Sequence, residues 1–120
     1  MPVRSLHSSV IKWPDAAAVV LALRRWATRQ LAERTDIVRL GYFGSYARGD
    51  WGVGSDLDLV IVVEQADPPF ERRGAEWDVT ELPVPCDVLV YTRQEWDSLA
   101  RQGRLADRPW RDTVWIHGRP

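Results

Sequence analysis

The sequence predicts an α/β (α+β) domain, a mixed sheet of four or five strands with two or three helices packed on it. Three observations lead there. Ile37–Phe43, Leu57–Val63 and residues 86–91 are short apolar runs rich in Val, Ile and Leu, and Gly, Pro or Asp stand beside them, the signature of strands. Val19, Val20, Leu23, Trp26, Ala27 and Leu31 recur at three- and four-residue spacing, which marks one buried face of a helix. The chain has 120 residues, enough for one core and not two, so residues 1–120 read as a single domain.

Residues 1–14 read as an irregular lead-in. Pro14-Asp15 opens the first helix, because Pro suits a first turn and Asp is favourable at the positive helix end. Arg24, Arg25 and Arg29 fall largely outside its apolar stripe, and the helix fades near residues 33–36. The first strand runs straight into Gly44-Ser45, after which Tyr46-Ala47-Arg48 makes a short helical turn. Two glycines and an Asp punctuate Asp50-Trp51-Gly52-Val53-Gly54, a loop. Leu57–Val63 is the most apolar strand and the expected centre of the sheet. Residues 66–74, with Pro68-Pro69 and Arg72-Arg73, read as an exposed connection, and residues 77–81 as a short strand. Pro83 and Pro85 precede the next strand. Thr92, with Glu95 three residues on, fits a capping box that opens a helix to about Arg101, and Gly103 ends it. Residues 113–117 are a last short strand, and no internal repeat is visible.

Composition excludes several classes of protein. Hydrophobic residues make up 45% and charged residues 28%, so the chain is neither disordered nor collagenous. No apolar run approaches the roughly 18–20 residues needed to span a bilayer. Met1-Pro2-Val3-Arg4 leads into no signal-peptide core, so a cytoplasmic location without a membrane partner is expected. A single cysteine, Cys86, excludes an internal disulfide framework and a cysteine-rich zinc site. The net charge of −1 provides no global basic field to draw the chain onto nucleic acid. One Lys, fifteen Arg and the absence of Asn read as the codon bias of a GC-rich genome.

The chemistry concentrates between Gly44 and Leu59. Asp56 and Asp58 stand two apart at the start of a strand, where side chains i and i+2 share a face, roughly 6.5–7 Å apart. Two carboxylates so placed can converge on a divalent cation such as magnesium, which takes hard oxygen ligands and shares its shell with substrate phosphates. Two like charges this close are costly without such a cation. Leu57, between them, points to the opposite, apolar face. Gly44-Ser45 ends a strand and begins a turn, where free backbone N–H groups can face an anion. Gly44 has no side chain to block a phosphate, and the Ser45 hydroxyl adds a hydrogen bond. Arg48, one turn later, either contacts phosphate or anchors the loop. Asp87 is the candidate third carboxylate: it opens an apolar strand, shares a face with Leu89, and is hard to explain by packing unless it meets a metal or an Arg.

The ordered pattern Gly-Ser, then Arg-Gly, then Ser-Asp-x-Asp-Leu resembles the signature of the DNA polymerase beta-type nucleotidyltransferase superfamily. Within it the chain is similar to the minimal nucleotidyltransferases (MNT proteins), along essentially its whole length. The resemblance implies a nucleotidyltransferase fold and transfer of a nucleoside monophosphate, AMP being expected, from an NTP such as ATP to a hydroxyl, with release of pyrophosphate. It implies that Gly44 and Ser45 hold the triphosphate, that Asp56 and Asp58 bind two Mg2+ ions, and that Asp87 completes the metal site and helps activate the attacking hydroxyl. Arg48 also matches the signature. Larger members carry an extra acceptor-binding domain, and none is expected here. Minimal members pair with a small helical HEPN protein, so the resemblance further implies a toxin–antitoxin system. This chain would then be the antitoxin, a hetero-oligomer with its HEPN partner, adenylylating it on a tyrosine. Two other functions fit the same family: an antitoxin that only masks its partner, and a small-molecule enzyme like those that modify aminoglycosides.

Blander readings stand beside these. Asp56 and Asp58 alone could be solvated acids, and Asp87 the partner of an Arg. A P-loop is excluded, because Asp50 stands where it requires Lys. Ser55 is expected to bond the loop backbone. Of the seven tryptophans, Trp26 and Trp115 are expected in the core, while Trp51 is open to base stacking, partner docking or packing. His7 and His117 are isolated, Cys86 is expected buried, and Arg72-Arg73 and the series Arg101, Arg104, Arg108, Arg111 are expected on a solvated surface.

Overall fold

The computed structural model describes residues 13–107 and 109–118. His7, Arg108 and the lead-in before Trp13 lie outside the described residues. Helix α1 covers Ala16–Glu33, strand β1 Ile37–Phe43, the single-turn helix α2 Ser45–Arg48, and strand β2 Leu57–Val63. The single-turn helix α3 covers Phe70–Arg73, strand β3 Cys86–Thr92, helix α4 Arg93–Arg101, and strand β4 Val114–His117. Short 3-10 turns occupy Gly74–Glu76, Arg104–Ala106 and Trp110–Asp112. The strands form one mixed sheet in the order β3-β2-β1-β4. β1 runs antiparallel to β2 and to β4, whereas β2 and β3 are parallel.

Alternation in β2 explains how this sheet is covered. Leu57, Leu59, Ile61 and Val63 point to one face and join Val19, Leu23 and Trp26 of α1 in the larger core. Asp15 caps α1, its Oδ1 accepting from the Ala18 N–H at 2.8 Å. Val19, Leu23, Trp26 and Ala27, spaced four, three and one apart, are fully buried. Burying a side chain the size of Leu23 contributes about 1.5–3 kcal/mol. Val60 and Val62 point the other way and meet Phe43 and Trp96, with Tyr91, Trp110 and Trp115 packed around them. The Trp96 ring lies edge-on to Trp110 at 5.3 Å and to Trp115 at 5.6 Å. Helix α4 covers this second, aromatic face. Its capping box forms as the sequence predicts: the Glu95 N–H donates to Thr92 Oγ1 and the Thr92 N–H to Glu95 Oε1.

The structure corrects three expectations. Residues 77–81 form no strand. The Trp77 indole instead packs against Trp26, and the Thr80 N–H donates to Asp78 Oδ1, a side-chain turn that competes with strand pairing. Residues 66–74 are not simply an exposed connection, because they contain α3. Arg73 is not on a solvated surface. Only 8% of it is exposed, and its guanidinium donates to Pro68 O, Val90 O and both Glu95 carboxylate oxygens. Trp26 is fully buried as expected, while Trp115 is half-buried at the rim of the aromatic core.

Candidate active site

The acids Asp56, Asp58 and Asp87 gather at one end of the sheet through register. Asp58 stands opposite Phe43 of β1 on one side and Asp87 of β3 on the other. Neighbouring strands lie about 4.8 Å apart, so the Asp58 and Asp87 backbones are adjacent. Both share parity with residues facing the aromatic core, Asp58 with Val60 and Asp87 with Leu89. That face is capped by α4 only farther along the strands, which leaves this end open. The Leu57 N–H donates to Pro85 O at 2.9 Å and fixes the entry of β2 against that of β3.

Gly44 follows Phe43 directly and sits at the same end. Its φ of 75° is the left-handed conformation that L side chains rarely adopt. A Cβ at this position would fall on Asp58 Oδ2. The Asp58 carboxylate is therefore packed against the bare Cα of Gly44, at the mouth of the Gly44-Ser45 turn. The turn is braced from behind. Tyr46 is buried, its hydroxyl accepts from Trp13 Nε1 at 3.2 Å, and Trp51 stacks on its ring at 5.7 Å with 9° between planes. Sequence reasoning missed this brace, because Trp13 and Tyr46 stand 33 residues apart and no local pattern links them. For Trp51 one ring face is thus used in packing. Ser55 does bond the loop backbone, accepting from the Gly52 N–H at 2.8 Å. Arg48 anchors the loop, its Nε donating to Asp50 Oδ2 at 3.1 Å.

Electrostatics single out Asp58. Burial, then the charges of Asp87 and Asp56, push its pKa up, and Arg48 opposes them only in part. Cys86 is half-buried and not fully buried as expected; that burial and the same Asp56 and Asp58 charges push its thiol up to about 11. Among the described residues, none of Asp56, Asp58 and Asp87 has a hydrogen-bond or ion-pair partner. Three hard, uncompensated carboxylates are the donor chemistry a magnesium ion requires. No group of three or more His, Cys, Asp or Glu side chains that could hold a metal ion is found among the described residues. What this end of the sheet offers such a cation is the type of its donors, three carboxylates.

The buried Gly44 thus stands against the half-buried Asp58, with the exposed Asp56 and Asp87 at the same end of the sheet. Residues 24–110 match the family described as the Nucleotidyltransferase domain, and the chain belongs to that family. Its fold is similar to the crystal structure of a proposed nucleotidyltransferase from Sulfolobus solfataricus, with a TM-score of 0.57 and 18% identity. That similarity covers 91% of this chain and 93% of the other. At this identity the likeness concerns the fold. No curated protein sequence matches the chain. No helix among the described residues is long and apolar enough to cross a membrane.

Proposed function

We propose that the chain is a minimal, single-domain, magnesium-dependent nucleotidyltransferase that moves AMP from ATP to a hydroxyl. One observation carries the reading: the Asp58 carboxylate rests on the Cα of Gly44, with Asp87 in register and the Arg48 charge offsetting the neighbouring acids only in part. Gly44 leaves room for the Asp58 carboxylate, which any other residue would displace, and the Gly44-Ser45 turn would hold the triphosphate. Asp56, Asp58 and Asp87 would hold the metal ions. Bound there, Mg2+ would offset the charge of the triphosphate and of the departing pyrophosphate. Arg48 extends the phosphate side of the site and steadies the loop through Asp50. Asp87, on the outer strand, takes the proton of the acceptor hydroxyl.

The resemblance to MNT proteins extends the proposal to biology. In this reading the chain is a cytoplasmic antitoxin that pairs with a HEPN-type toxin and adenylylates it on a tyrosine. The test uses purified protein, magnesium and ATP labelled at the α-phosphate, incubated with host lysate beside an Asp56→Asn control. A labelled protein that vanishes with the variant supports the transfer and identifies the acceptor. Absence of label, with a folded protein that still binds its partner, favours an antitoxin that acts by masking.

A further inference from the structure

Helix α2, which carries the Gly44-Ser45 turn, has little structure of its own. It is a single turn: the Ala47 and Arg48 N–H groups donate to Gly44 O, and those of Gly49 and Asp50 donate to Ser45 O. A helix this short does not hold its shape without tertiary contacts. Its caps, Gly44 and Gly49, have φ of 75° and 87° and no side chain to stiffen them. Arg48 is exposed and reaches only Asp50, in the same loop. Of the four side chains of α2, only Tyr46 is buried, at 5% exposure. It enters the larger core, on the face of the sheet opposite to the one Asp58 shares with Val60. Two indoles fix its phenol there. Trp13, ahead of α1, donates its Nε1–H to the Tyr46 hydroxyl at 3.2 Å. Trp51, from the loop that leads to β2, stacks on the Tyr46 ring with 9° between planes.

We infer that Tyr46 is a positioning residue for nucleotide binding: held by Trp13 and Trp51, it sets the Gly44-Ser45 turn from the far face of the sheet, and with it the affinity for ATP. This rests on the nucleotidyltransferase reading. Tyr46 is too buried to touch a nucleotide, so it acts through the backbone. Gly44 stands two residues before it, and the Gly44 Cα meets the Asp58 carboxylate. A shift of the phenol therefore moves the turn against Asp58, and α2 has no second buried side chain to resist it. Small displacements of a binding group are costly, because affinity depends on donors and charges being in place before the ligand arrives. The turn would hold the triphosphate before transfer as well as during it, so loosening it shows directly in the dissociation constant.

The test is magnesium–ATP binding by calorimetry, with the melting temperature of each full-length protein measured beside it. Failure of the parent protein to bind overturns the nucleotidyltransferase reading and this inference with it. Where the parent binds, the variants decide this inference alone. Tyr46→Phe and Trp13→Phe delete the same hydrogen bond, and each should raise the Kd about fivefold. The double variant should bind no more weakly than either single one, because the two residues act as one unit. Trp51→Ala, which removes the stack, should raise the Kd about tenfold, and Trp51→Phe, which keeps a ring there, should restore most of the affinity. Arg73→Met lowers stability at the other end of the sheet and should leave the Kd at the parent value. Four results would each overturn the inference: an unchanged Kd in Tyr46→Phe and Trp13→Phe, additive losses in their double variant, no recovery in Trp51→Phe, or an equal loss of affinity in Arg73→Met.

Discussion

At the Val63 end of β2, acids meet arginines. Asp36 accepts two hydrogen bonds from Arg34, Glu64 two from Arg93, and Glu95 two from Arg73. Hydrogen bonding from these guanidinium groups holds all three carboxyls below their usual range. At the Asp58 end, five residues away along the same strand, three carboxylates stand near one another without any such partner, and the pKa of Asp58 moves the opposite way. A chain with fifteen arginines has no shortage of cations to place there. The paired end serves stability. In the proposed function the unpaired end is reserved for a ligand, and the repulsion there costs stability that a bound cation would restore.

Three substitutions bear on this contrast, from the largest expected effect to the smallest. Asp58→Asn should lower AMP transfer by about a thousandfold or more, equivalent to about 4 kcal/mol of transition-state stabilisation, in a single-turnover assay. The same variant should melt no lower than the parent without metal, because it removes a repelled charge. Gly44→Ala should lower transfer about a hundredfold by displacing Asp58, and should cost about 1–3 kcal/mol of stability through strain at a positive φ. Chemical denaturation separates the two effects. At the opposite end, Arg73→Met should cost about 2 kcal/mol, or roughly 10 °C in melting temperature, by leaving Glu95 and Val90 O without their donor. Magnesium–ATP binding should survive that change.

The pH dependence gives the contrast a sign. Asp58 is raised, so the stability linked to it is present below its unfolded pKa and is lost as pH rises through the folded value. Glu95 is lowered, so its contribution is present above the unfolded pKa and is lost as pH falls through the folded value. Between about pH 3 and 7, without divalent ions, Asp58→Asn should therefore gain on the parent protein as pH rises, while Glu95→Gln should fall further behind. Melting curves of the three proteins across that interval check both signs.

Much of this arrangement was legible in the residues. The strands Ile37–Phe43 and Leu57–Val63 and the capping box at Thr92 announce themselves through local alternation and spacing, and the structure places them where they were expected. The Gly44-Ser45 turn and the Asp56, Asp58 pair were visible for the same reason: all lie within a short stretch of chain. What local pattern could not reveal was set by distant contacts. Arg73 reads as half of an exposed basic pair until Glu95, 22 residues later, folds against it. Residues 77–81 have the composition of a strand, but Trp77 is claimed by Trp26 and by Arg34, whose guanidinium lies 4.1 Å from its ring. The collision between a Gly44 Cβ and Asp58 follows from pairing register, which no sequence spacing supplies.

The most direct test of the central contrast is the melting temperature of the parent protein and of Asp58→Asn, each with and without magnesium and ATP together. The account predicts a rise of several degrees for the parent protein that needs both components, and none for Asp58→Asn. An equal rise in the two proteins, or none in either, would contradict the view that the uncompensated acids are kept for a metal-bound nucleotide.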